Sequence, residues 1–164
     1  MQLISSDTSV WIDFQEIEAL DAPFLLNDVY SFLMSGDVMD AELLYPSDLK
    51  DTLQCFGLIR TELSEEEYIL ALEYRKKYKQ LSSYDAFALA IAKNRGIILL
   101  TGDKVLRNAS EKEGVIFHGT LWVIDRLWEL SRIDSARYRE MLLALKANCG
   151  KTIRLPLNEI EKRL

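Results

Sequence analysis

The chain has 164 residues, 49% of them hydrophobic and 28% charged. That is the length of one domain, able to bury roughly two thirds of its unfolded surface without metal or disulfide staples, and its composition excludes disordered and fibrous classes. The net charge of −6 disfavours broad binding to phosphates, but the charge is uneven: residues 1–130 hold 12 Lys/Arg against 22 Asp/Glu, whereas residues 131–164 hold 8 against 4.

In chain order, short apolar runs alternate with longer helical segments, which predicts an α/β fold on a mostly parallel sheet. "QLIS" reads as a strand and "VWIDFQEIEAL" as the helix after it. "YSFLMS" is a second strand ended by Gly36, followed by a short helix "DVMDAELL" capped by Asp37. Another short helix is expected after Pro46, and "CFGLIRTEL" reads as a weaker, more exposed strand. Ser64 and Glu67 fit a capping box opening a long helix through Lys79. "SSYDAFALAIAKNRG" is apolar on nearly every face, so it is expected to be a buried helix with Gly96 as its stop. "IILL" reads as a buried parallel strand, "DKVLRNASEKEG" as a helix stopped by Gly114, and "VIFH" as a last strand before the helix "GTLWVIDRLWEL". The expected organisation is a main domain over residues 1–130 and a helical C-terminal extension over 131–164, packed on or beside it.

Two cysteines, Cys55 and Cys149, form no CxxC pair, so neither a disulfide framework nor a thiolate zinc site is indicated, and a reducing cytoplasm is expected. "MQLISSDTSVW" lacks the basic and apolar regions of a signal peptide, and no apolar run approaches the ~18 residues of a membrane span. Neither export nor membrane insertion is expected.

The chemistry points to acids. Ligands of parallel sheets bind outside the carboxyl ends of the strands, and Asp7 and Asp103 each closely follow an apolar strand. If those strands are neighbours, the two carboxylates repel unless a proton or a cation intervenes, and a divalent metal is the economical answer. Asp85 stands three residues after Ser82, where on its own a helix-capping role is the stronger explanation, and Glu42 alone reads as a solvated helix residue. Lys104 and Arg107, within one turn of Asp103, could meet phosphate oxygens or simply face solvent. A haloacid-dehalogenase-type phosphatase would need a second acid at Ser9, and no glycine-rich phosphate loop, serine nucleophile elbow or HExxH motif is present.

Four segments, "SSDTSVWIDF", "DVMDAEL", "LSSYDAFALAIAK" and "ILLTGDKVLR", together resemble the PIN-domain family, most closely its small prokaryotic members related to toxin ribonucleases. The resemblance covers about residues 1–130 and, less specifically, the tail. It implies a three-layer α/β/α sandwich and a metal-dependent nuclease site in which Asp7, Glu42, Asp85 and Asp103 occupy the family's acidic positions. A further acid found just beyond the last motif in some relatives has no equivalent at Asn108 or Glu111. Oxygen ligands suit Mg²⁺ or Mn²⁺, with Asp7, Asp85 and Asp103 as leading ligands, Glu42 as ligand or water-orienting group, and Thr101 and Ser9 as positioning hydroxyls. The implied function is a metal-dependent endoribonuclease, the toxin of a toxin–antitoxin pair, with RNA as substrate, an antitoxin as partner and a homodimeric state. The alternative is a PIN-like scaffold of weak turnover that holds a protein or RNA, and a DNA-directed nuclease would use the same metal chemistry.

Overall fold

A computed structural model describes residues 1–164. Five strands, β1 (Gln2–Ser6), β2 (Tyr30–Ser35), β3 (Ile59–Thr61), β4 (Ile98–Leu100) and β5 (Phe117–His118), form one sheet in the order β3-β2-β1-β4-β5. Every pairing is parallel, with Ser5 opposite Leu33 on one side of β1 and Ser6 opposite Leu100 on the other. The chain winds outward from β1 through β2 to β3, then crosses back to β4 and β5. The strand order therefore reverses at β1, which makes the β1/β4 crevice the expected ligand position.

Nine helices surround the sheet: α1 (Thr8–Glu16), α2 (Gly36–Glu42), α3 (Leu49–Phe56), α4 (Glu65–Lys77), α5 (Ser83–Arg95), α6 (Lys104–Lys112), α7 (Thr120–Glu129), α8 (Ser135–Asn148) and α9 (Leu157–Arg163). A short 3-10 helix, Ala22–Leu26, precedes β2. Alternate strand residues divide the core into layers. Ile4, Phe32, Met34, Ile98 and Leu100 share one apolar cluster with Trp11, Phe14, Val123 and Leu127 of α1 and α7. Leu99 faces the other way, into a cluster with Ala71, Tyr74, Leu89 and Leu106 of α4, α5 and α6. The result is a three-layer α/β/α sandwich, and none of its helices is long and apolar enough to cross a membrane.

Helix α5 is buried because its inner side chains are small. Ala86, Ala88, Ala90 and Ala92 allow close approach to the sheet, and Ser5 of β1 donates its hydroxyl to the Ala88 carbonyl at 3.1 Å. The Ser64/Glu67 capping box opening α4 is fully formed.

Several boundaries differ from the sequence reading. Ser35, not Asp37, caps α2: its hydroxyl accepts from Val38 N at 3.1 Å, Gly36 is the first helical residue, and Asp37 accepts from the Tyr68 hydroxyl. Cys55 and Phe56 finish α3 instead of beginning a strand, because Gly57 at φ 132 ends the helix, leaving β3 only three residues. Helix α4 stops at Lys77, and α1 begins at Thr8, earlier than its apolar run suggests, because Asp7 caps it.

Helices α8 and α9 bury Met141, Leu142, Leu145 and Ile160 in the same cluster as Ile4 and Phe32. Ile133 and Ile153, from the connecting segments, join them.

Candidate active site

The first acid is fixed by the chain reversal at the end of β1. Asp7 caps α1, its Oδ1 accepting from Thr8 N at 2.7 Å, and it is only 6% exposed. Its other oxygen accepts from the Ser9 hydroxyl at 2.9 Å and the Thr101 hydroxyl at 2.8 Å. These two hydroxyls also tie down the "TGD" turn after β4. Thr101 Oγ1 accepts from Asp103 N at 3.0 Å, and Ser9 Oγ accepts from Gly102 N at 2.9 Å. One carboxylate thus organises the carboxyl ends of both central strands, joined further by the bond from Asp7 N to the Leu100 carbonyl.

Asp103 caps α6, its Oδ2 accepting from Leu106 N at 3.0 Å. Asp85 lies in the first turn of α5, where Ser82 Oγ accepts from its backbone N–H at 3.1 Å. The reciprocal bond of a capping box is absent, so capping alone does not account for the carboxylate. Glu42, the last residue of α2, accepts the Thr8 hydroxyl at 2.8 Å, which connects a third segment to α1.

The acids share one electrostatic environment. Burial pushes the Asp85 carboxyl up to about 7, and the charges of Asp7 and Asp103 push in the same direction, with Glu42 adding a smaller contribution. Burial also raises Asp7, against the three hydrogen bonds that favour its charged form, while Asp103 adds to the rise. Glu42 is raised by desolvation and by Asp7, partly offset by Thr8. None of the four takes part in an ion pair with Lys or Arg; the twelve ion pairs of the molecule all use other acids. Such an assembly of hard oxygen donors without a compensating cation fits a divalent metal. No three of these side chains, however, stand together at metal-holding spacing.

The two basic residues near Asp103 differ. Arg107 is half-buried, its Nε donating to the Thr101 carbonyl at 3.0 Å and its guanidinium 5.6 Å from the Phe117 ring centroid. A Cβ at Gly119 would run into that guanidinium, so the glycine gives it room. Lys104 is exposed and has no polar partner in the protein.

A fifth acid escaped the sequence reading. Asp13 on α1 is buried at 7% exposure and accepts the Thr120 hydroxyl at 2.7 Å. Its carboxyl is pushed up to about 6 by burial, offset by Thr120 and reinforced by Asp7 and Glu16. The available signal was an acid among the inward-facing Val10, Trp11 and Phe14. Thr8 was also missed, because its tie to Glu42 depends on a long-range approach of α2 to α1.

A family model described as a PIN domain matches residues 3–163. No curated protein matches the sequence. With an all-parallel five-stranded sheet and acids gathered at the β1/β4 crevice, the chain belongs to the PIN-domain family.

Proposed function

We propose that this PIN domain is a metal-dependent endoribonuclease that hydrolyses RNA phosphodiester bonds at the site of Asp7, Glu42, Asp85 and Asp103. The observation that carries this reading is the gathering of these carboxylates with no Lys or Arg paired to any of them, and with Asp85 raised to about 7 chiefly by burial and further by the charges of Asp7 and Asp103. Asp7, Asp85 and Asp103 would hold Mg²⁺ or Mn²⁺, with Glu42 as a fourth ligand or water-orienting group. Bound there, the metal would supply an activated water and offset charge developing on the phosphate.

The chain's own residues supply order. Thr101 and Ser9 hold Asp7 in one rotamer and fix the Gly102–Asp103 backbone against it, so two acids from distant sequence move as one unit. Thr8 holds Glu42 toward the same edge. Arg107 restrains the Thr101 carbonyl and closes the outer side of the turn.

Calorimetric titration of Mn²⁺ into wild type and the Asp103→Asn and Asp85→Asn variants tests this reading, with circular dichroism confirming the fold. Asn is a good N-cap, so Asp103→Asn keeps the start of α6. Metal binding and RNA cleavage should both be lost in the folded variants. Cleavage at wild-type rate in both, in nuclease-free preparations, would remove the mechanism.

The second reading, a scaffold with little turnover, is favoured by the absence of any three acids at metal-holding spacing. It predicts no Mn²⁺ binding to wild type up to millimolar concentration, with or without RNA. A toxin role, with an antitoxin partner, a homodimer and a cytoplasmic site of action, belongs to the nuclease proposal. Induced wild type should then arrest growth where Asp103→Asn does not.

A further inference from the structure

At Asp103 opens a cleft of about 600 Å³ whose lining comes from distant parts of the chain. Its lining includes Asp13, Asp103 and Lys104 together with Thr152 and Arg154 of the segment between α8 and α9. Gly102, Arg154 and Leu155 also line a second cavity of about 240 Å³, which reaches His118 and Trp122. Arg154 therefore borders two cavities, which suits an extended ligand better than an isolated anion.

The cations around this channel are unequally committed. Arg163 is held by Asp125 at 2.9 Å, and Arg107 donates to the Thr101 carbonyl. Lys104 and Arg154 are exposed and enter no ion pair or side-chain hydrogen bond with the protein. Lys104 follows Asp103 in sequence, and both line the cleft together with Arg154. Two uncommitted cations lining one otherwise acidic cleft suit a phosphate entering it.

We propose that Lys104 and Arg154 form a subsite for a phosphate of the RNA strand next to the one that is cleaved, which makes the C-terminal extension part of the substrate path. This inference rests on the nuclease reading for its ligand. Phosphate contacts of this kind hold substrate and transition state alike, so they affect binding rather than turnover.

The test uses the full chain and a short fluorescent single-stranded oligoribonucleotide. Binding is measured in EDTA over a salt series, and cleavage in Mn²⁺. Arg154→Gln should weaken binding about tenfold, the loss of one charge-assisted contact, and flatten the plot of log affinity against log salt by about 0.7. It should raise KM at constant kcat. Arg154→Lys should restore the salt slope, and Lys146→Gln, on α8 outside the cleft, should match wild type. If wild type cleaves RNA and Arg154→Gln keeps both wild-type affinity and salt slope, the subsite is overturned while the nuclease reading stands. If binding depends on Arg154 but wild type never cleaves, Arg154 remains an RNA-phosphate contact, while the nuclease reading and the placement of that phosphate next to a cleaved one both fall. Wild type that binds no RNA overturns the subsite.

Discussion

In metal-free buffer at pH 8, Asp85→Asn should make the protein more stable, while removing its response to metal. Asp85 is buried beside Asp7 and Asp103, and its carboxyl is raised from 3.8 to about 7. A native-state pKa above the unfolded value means that the folded protein holds a proton the unfolded chain has released, so this acid costs stability above pH 7. The cost fades as pH falls toward 3.8. The full displacement corresponds to a ceiling of about 4 kcal/mol; since Asp85 keeps some solvent contact, a gain of about 1–3 kcal/mol is expected for the Asn variant. By pH 5 roughly two thirds of that gain should vanish, because the native carboxyl is then protonated. Saturating Mn²⁺ should reverse the order, stabilising wild type by about 2.7 kcal/mol at a hundredfold excess over Kd and leaving the variant unchanged. Urea unfolding followed by circular dichroism at pH 5 and 8, with EDTA or Mn²⁺, reads all four conditions. A variant less stable than wild type in EDTA at pH 8, or equal stabilisation of both by Mn²⁺, would refute the reasoning.

Thr101→Val keeps the shape of a fully buried side chain but removes the donor to Asp7 and the acceptor for Asp103 N. It should cost about 2–4 kcal/mol in thermal unfolding and weaken Mn²⁺ binding about 10–100-fold by calorimetry, through positioning alone. Glu67, with a side chain 1% exposed, is paired to Arg95 at 2.9 Å. Burial pushes its carboxyl up, but Arg95, Ser64 N–H and Asn94 outweigh that and hold it at about 2. The pair therefore stabilises the fold above pH 4.5 and is lost as pH falls through about 2. Glu67→Gln should cost about 2–4 kcal/mol at pH 7 and flatten the acid-unfolding profile between those values, read by urea melts; RNA cleavage should be unaffected.

The elements legible in the sequence were those whose determinants are local. The unbroken "IILL", the Ser64/Glu67 box and the small-residue face of α5 need no knowledge of partners, and each appears at its expected place. Asp7 and Asp103 were legible for the same reason, since each directly follows a strand. Their adjacency was not, because it depends on β1 pairing with β4, a contact between strands nearly a hundred residues apart. Competing local signals moved the boundaries. Asp37 is a plausible cap, but Ser35 already lies at the end of β2 with its hydroxyl aimed at Val38 N. Asp13 was hidden because its hydrogen-bond donor, Thr120, lies 107 residues further along the chain.

The uneven charge of the sequence has a structural explanation that bears on substrate binding. A net-positive C-terminal extension on an acidic body invites a picture of a basic tail reaching for nucleic acid. Much of that charge is instead committed within the protein. Arg132 pairs with Asp28, Arg137 with Asp21 and Arg163 with Asp125, three bridges from the extension to the body, while Lys146 and Lys162 pair with Glu161 and Glu159 inside the extension itself. Below these bridges, Met141, Leu142, Leu145 and Ile160 are buried in the main core. Deleting residues 131–164 would therefore uncover apolar surface and strand Asp28 and Asp125 without their partners, confounding any loss of RNA binding with loss of fold. Single substitutions in the cleft are the sound test. Arg154, left out of the bridging pairs and lining the same cleft as Lys104, is the extension's cation best placed to reach a phosphate.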